Sequence, residues 1–253
     1  MSRTLVRDGC ELIAGGASLG WLEALSTGVH RLYERIRLLS LRMTPWAVAQ
    51  QLALEGVLYL PTAESFHLGA LYRDLWARDA LNDVVVDVIE AELGGSADVD
   101  LHLGWARRQY PECCRPAVHA PHSWHQDGAC AANVVAPEPT VGLVSMVTAW
   151  IPLTDCGEHA PGLELSEGRR RERYTPEQLS DPDPKVERWR PVMRRGDVML
   201  MSGDKLHRTH VVPTMLAART CVELRLLSRD QPPARFADHA RVPLLRACQP
   251  GIP

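Results

Sequence analysis

The chain has no C-x-x-C pair and no H-E-x-x-H, although it carries seven cysteines and ten histidines. The odd set Cys10, Cys113, Cys114, Cys130, Cys156, Cys221 and Cys248 lacks the paired spacing of a secreted disulfide framework or a thiolate zinc site. Reduced thiols in a cytoplasm are the expectation. No charge of one sign dominates: 28 basic residues against 31 acidic ones leave a formal net charge of −3. That balance removes the electrostatic case for nucleic acid or an anionic membrane as partner. Long hydrophobic runs are missing too. The plainest one, "VGLVSMVTAWIPL", is too short to cross a bilayer and reads as a buried strand. The opening "MSRTLVRDGC" has no apolar segment behind its basic residues, so no secretory signal is expected.

What remains is an ordinary globular composition, 45% apolar and 23% charged over 253 residues, enough for one large domain. Residues 1–97 read as mainly helical. "SLGWLEALSTGVHRLYERIRLL" has apolar residues near helical spacing, with Ser18 as its cap. "TPWAVAQQLALEG" is a second helix, opened by Thr44-Pro45 and closed by Gly56. The stretch from Ala63 to Gly95 suggests one or two more. From about residue 98 to 230 the texture changes to short apolar runs bounded by Gly, Pro and Asp, the pattern of strands and turns. Residues 231–253 form a tail. Helices first and strands after predict an α+β fold with a β-sandwich or jelly-roll core. The polar segment 168–190 is read as a long surface loop or lid, and the run Arg169–Arg173 as a solvated face.

Chemistry concentrates in "PHSWHQDGAC", residues 121–130. In a strand, positions i and i+2 face the same way, so His125 and Asp127 would point together while Gln126 points away. An imidazole and a carboxylate on one face supply two of the three ligands of a facial triad that leaves open positions on an Fe(II) ion. Composition alone produces one H-x-D about as often as not, so on this pair alone a hydrogen-bonded turn is the preferred reading. His119 and His122 precede it at spacing three, but Pro121 opposes a helix there, and both are read as loop residues. Downstream, "LHRTH" offers His207 and His210, and Arg219 opens a strand rich in Val and Leu. A guanidinium in such a strand needs a bidentate partner. A small dicarboxylate would supply one, and so would an ion pair with Glu223.

The ordered segments "WHQDG", "VTAWIPLTDCGEHAPGLELSEG" and "GDVMLMSGDKLHRTHVVPTMLAART" resemble the phytanoyl-CoA dioxygenase family, most strongly over residues 120–227. The resemblance implies a double-stranded β-helix (jelly-roll) oxygenase, with helices mainly from the N-terminal third packed on it. It implies Fe(II) and 2-oxoglutarate as cofactors and O2 as co-substrate. By position it assigns the metal to His125, Asp127 and His207, and the far carboxylate of 2-oxoglutarate to Arg219 and Thr209. His210 would lie on the opposite strand face from His207. The aspartate argues for hydroxylation of a C–H bond over halogenation. The expected substrate is a small molecule, with a place in natural-product biosynthesis as an analogy. Trp150, Thr148 and Arg107 are candidate substrate contacts; of Arg107 and Arg108 only one can point inward. Trp124 is read as packing. Two other classes compete: a metal-dependent hydrolase using the same histidines, and a non-catalytic jelly-roll binding protein.

Overall fold

The computed structural model describes residues 3–69, 71, 80–129, 142–180 and 186–244. Strand β1 (Cys10–Ile13) follows the short helix α1 (Leu5–Asp8), and the long helix α2 (Leu19–Ser40) comes next. Helix α2 buries Trp21, Leu22, Leu25, Val29, Tyr33 and Ile36 along one stripe, the spacing that one face of a helix requires. Ser18 stands at its N-cap without making a side-chain capping bond. Helix α3 (Pro45–Leu54) starts where Thr44 accepts from the Ala47 N–H at 3.3 Å and proline occupies the first turn. Helix α4 (Asp83–Leu93) is capped by Asn82, which accepts from the Val85 N–H at 3.0 Å. It stops at Gly94, whose φ of 73° is left-handed and costs glycine little.

Two antiparallel sheets form the jelly roll. The larger one runs β1-β9-β6-β11-β4-β3-β2, with β12 also paired to β4. Its further members are β2 (Tyr59–Leu60), β3 (Ser65–His67), β4 (Ala97–Gln109), β6 (Val147–Pro152), β9 (Val198–Ser202), β11 (Arg219–Ser228) and β12 (Arg241–Pro243). The smaller sheet has the order β5-β10-β7-β8, made of β5 (His125–Gln126), β7 (Gly162–Ser166), β8 (Arg188–Trp189) and β10 (Leu206–His210). Alternation on the central strands sorts the two faces. Val147, Ala149, Val198, Leu200, Val222 and Leu224 join the helices in the main core. Trp150, Met199, Met201 and Cys221 face the smaller sheet and pack with Leu163 and Leu165.

Several readings of the sequence change. Ser65–His67 is not helical: it pairs antiparallel with Arg107–Trp105 of β4. The long β4 offers a hydrogen-bonding ladder that overrides a local helical pattern. The N-terminal third contributes β1, β2 and β3 to the larger sheet, and the tail adds β12. Segment 168–190 carries a short helix α5 (Pro176–Ser180) and β8; residues 181–185 lie outside the described residues. Arg169 is no solvated residue. Its guanidinium clamps Glu92 of α4 at 2.5 Å and Asp204 at 2.8 Å, and it is 14% exposed. Among the described residues the cysteines are free thiols, with Cys10, Cys156 and Cys221 buried and Cys113 and Cys114 exposed. Cys130 and Cys248 lie outside the described residues. No helix is long and apolar enough to cross a membrane among the described residues.

Candidate metal centre

His207 of β10 is the cross-strand partner of His125 in β5, which brings their rings to 4.2 Å between centroids. The strand ends at Gln126, and Asp127 opens the helical turn that follows. Gln126 points away from the histidines. Its amide donates to the Asp204 and Glu172 carbonyls at 2.8 and 3.0 Å and accepts from the Tyr174 N–H at 2.9 Å, which ties the start of the 168–190 segment to the site. The tight course beyond Asp127 depends on Gly128, whose N–H donates to the Gly203 carbonyl at 2.8 Å. A Cβ on Gly128 would meet the Val144 carbonyl oxygen at 2.7 Å. The glycine is needed for that close approach.

The donor atoms of His125, Asp127 and His207 all lie within 4.8 Å of one another. His125 Nε2 is 3.7 Å from Asp127 Oδ1, and His207 Nε2 is 3.9 Å from Asp127 Oδ2. Two ligand bonds of about 2.1 Å reach up to about 4.2 Å across one ion, so each of these two histidine–aspartate pairs can share a single cation. Both rings are oriented from behind. His125 Nδ1 donates to the Ser123 carbonyl at 2.7 Å and His207 Nδ1 to the Lys205 carbonyl at 3.0 Å. Each Nε2 is thereby left as the lone-pair donor, the arrangement metal-binding histidines adopt. Burial, then the neighbouring His207, lowers the pKa of His125 to about 4, so this ring is neutral at pH 7, as a ligand must be.

Asp127 is 3% exposed. Burial by itself would raise its pKa, but Arg225 and the two histidines outweigh that and hold it well below the usual carboxylate range. Thr148 Oγ1 donates to Asp127 Oδ2 at 2.6 Å, and Arg225 Nη2 donates to Oδ1 at 3.1 Å. Arg225 also reaches Glu223 at 3.0 Å, which takes Arg107 at 3.1 Å. Arg107 in turn touches the His122 ring, and that ring packs edge-on against His125 at 5.1 Å. Burial, then Arg107, lowers the His122 pKa to about 2.

Of the residues singled out in the sequence, Arg107, Trp150, Thr209 and Arg219 line one cleft with the three donors. Thr148 is not in that lining; it is fully buried and grips Asp127 instead. Arg108 leaves the opposite face of β4 and lies over the Tyr33 ring at 4.0 Å. His122 is in the cleft wall. Trp124 is covered by Arg208 at 4.8 Å and Arg188 at 5.4 Å. His210 is outside the donor cluster. Arg219 does not pair with Glu223. It is 1% exposed, its guanidinium lies 4.8 Å over the Trp150 ring, and its Nε and Nη1 have no hydrogen-bond partner. The sequence reading missed Arg225, although it has the strand parity of Arg219 and Glu223.

The family model for phytanoyl-CoA dioxygenase matches residues 5–215, most of the chain. The chain belongs to the phytanoyl-CoA dioxygenase family. No curated protein sequence matches this member of the family. Solved structures share its fold at low identity. EctD from S. alaskensis with 2-oxoglutarate and 5-hydroxyectoine is 16% identical over 96% of this chain and 84% of its own, with a TM-score of 0.63. AviO1 from Streptomyces viridochromogenes Tue57 is 17% identical over 91% and 94%, with a TM-score of 0.61. SnoK, a non-heme alpha-ketoglutarate-dependent carbocyclase from nogalamycin biosynthesis, is 17% identical over 93% and 87%, with a TM-score of 0.57. These likenesses establish for this dioxygenase-family chain the jelly-roll fold described above.

Proposed function

We propose that the protein is an iron(II)- and 2-oxoglutarate-dependent oxygenase that hydroxylates a C–H bond of a small molecule. The observation that carries this reading is Arg219: a buried guanidinium with two unpartnered nitrogen atoms, facing the same cleft as two histidines and a carboxylate. An unpaired buried cation is costly to keep. A ligand carboxylate removes that cost, and Arg219 offers it a bidentate fork.

In this reading His125 Nε2, Asp127 and His207 Nε2 hold the iron, and Arg219 holds the far carboxylate of 2-oxoglutarate. When bound, iron with 2-oxoglutarate supplies O2 activation and C–H oxidation. The chain itself does the positioning. The Ser123 and Lys205 carbonyls fix the two imidazole tautomers. Thr148 and Arg225 fix the Asp127 carboxylate from behind. Trp150 forms a flat wall under Arg219, and Thr209, anchored by its N–H to the His122 carbonyl at 3.0 Å, brings a hydroxyl side chain to the same cleft. SnoN, a neighbour of the same fold, is a non-heme alpha-ketoglutarate-dependent epimerase, and SnoK a carbocyclase. Hydroxylation is therefore tested by its product. Purified protein given Fe(II) and O2 should convert 2-oxoglutarate to succinate. With a competent substrate, isotope-labelled O2 should place one labelled oxygen in the product. Succinate formation with an unlabelled, rearranged product would replace hydroxylation by another C–H oxidation. Absence of any iron-dependent succinate would remove the oxygenase reading.

A further inference from the structure

Next to Glu223 the inner face of the larger sheet continues onto β4 and β3, and there it changes from charged groups to rings. Trp105 is the cross-strand partner of Glu223, and His67 is the partner of Trp105. Directly opposed residues leave the same face of a sheet. Glu223 lines the metal cleft together with its other partner, Trp150, so Trp105 and His67 stand on the cleft side. Asp100 is opposite Arg225 in the same way. Its carboxylate accepts from His239 Nδ1 at 2.8 Å, which holds His239 over this face. The rings then follow one another in a chain of tilted and edge-on contacts. Trp105 to His67 is 5.4 Å between centroids, His67 to His102 6.3 Å, His102 to His239 4.8 Å, and His239 to Phe236 4.9 Å. His102 is exposed, Trp105, His67 and His239 are half-buried, and Phe236 is fully buried, so the first four supply the accessible surface.

The smaller sheet ends at β5, the two-residue edge strand that carries His125. Among the described residues that sheet has no further strand to lay over β4 and β3, so the ring contacts begin where it stops. The charged groups between the rings and the metal cleft are occupied with one another. Arg107 and Arg225 both bond Glu223, Arg225 also bonds Asp127, and His239 bonds Asp100. Burial holds His67 below the ordinary histidine range, which keeps that ring uncharged at pH 7.

We propose that this run of rings is the shelf on which the oxygenase substrate lies, and that the substrate carries an uncharged, planar, conjugated ring system. The assignment of a substrate rests on the oxygenase reading; the affinity of the shelf for such a ring does not. Aromatic faces and edges reward a flat π system beyond the area it buries. A phosphate-bearing acyl carrier would instead need several cations free to pair with it; Arg107 and Arg225 are already paired with acids, which leaves Arg241, opposite Asp100, as the described arginine beside this shelf with an unpartnered nitrogen.

The test is isothermal titration of the full chain, with and without Fe(II) and 2-oxoglutarate, using two probes: neutral 1,8-dihydroxyanthraquinone and anionic decanoyl-coenzyme A. The proposal expects saturable one-site binding of the anthraquinone and none of the thioester. Trp105→Ala should weaken the anthraquinone by about tenfold and the exposed His102→Ala by a few-fold, with no change in the visible absorption that reports Fe(II) and 2-oxoglutarate. Should Trp105→Ala unfold, His102→Ala carries the test. Wild-type protein that binds the thioester in preference, or that binds neither probe, overturns the proposal. So does anthraquinone binding indifferent to both substitutions. Anthraquinone binding retained in a protein that shows no iron and 2-oxoglutarate absorption would instead overturn the oxygenase reading and leave the shelf standing.

Discussion

The two faces of β11 could belong to two different proteins. On one side Val222, Leu224 and Leu226 are fully buried against the helices and make a dry, apolar layer. On the other, Arg219, Cys221, Glu223 and Arg225 project toward the smaller sheet, three of the four being charged groups, with Arg219 and Glu223 buried and Arg225 largely so. A strand alternates its side chains with period two, so one ten-residue segment serves both. The apolar face contributes stability that does not depend on chemistry. The charged face holds ions that isolated burial would make unfavourable, and it satisfies them through Asp127, Glu223 and Arg107. Arg219, with two nitrogens unpartnered, stands apart from that network.

The largest expected effect breaks the apolar side alone. Leu224→Ala should lower unfolding stability by about 2–5 kcal/mol, since a fully buried leucine leaves a cavity that neighbours only partly fill. Chemical denaturation measures it. The fraction still folded should bind Co(II), a spectroscopic stand-in for iron, with wild-type affinity; weakened binding would show that the two faces are not separable. Next in size is Thr148→Val, a near-isosteric change that deletes the 2.6 Å bond to Asp127. Loss of an outer partner of a metal ligand costs roughly 10–100-fold in metal affinity. Co(II) titration should show that drop with the fold retained.

The smallest effect is read in acid. His119 is 4% exposed, and burial, then Arg115, lowers its pKa to about 4, against about 6.5 in an unfolded chain. The unfolded state therefore binds the extra proton first. The stabilising contribution is present in full above about pH 6.5 and is lost as pH falls toward about 4. His125 behaves alike in the metal-free protein. His119→Phe should flatten part of the slope of stability between these pH values in urea melts of the metal-free protein. An unchanged slope would mean that this histidine does not contribute.

The asymmetry between faces also explains what the sequence could disclose. Runs such as "VMLMS" and "RTCVELRLL" read as strands because both of their faces are buried, and turn residues bracket them. His125 and Asp127 stood out by their i, i+2 spacing, Arg219 as a guanidinium opening an apolar strand, and His207 through the family resemblance. The short strands Ser65–His67 and Arg241–Pro243 were illegible, since their stability comes from pairing with distant β4. Thr148 could be read as facing inward from parity, but its bond to Asp127 depends on a turn that takes Asp127 out of the strand. Arg169 looked like one member of a solvated run, because Glu92 and Asp204 are remote in sequence.

The central claim is that the triad and Arg219 form one cofactor site. Anaerobic visible absorption tests it most directly, adding Fe(II) and then 2-oxoglutarate to wild-type protein, His207→Ala and Arg219→Ala. The account predicts a weak band that needs both additions. It should be absent in His207→Ala and demand at least about tenfold more 2-oxoglutarate in Arg219→Ala, the loss of a charge-assisted bidentate pair. No band in folded wild-type protein, or a band indifferent to Arg219, would contradict it.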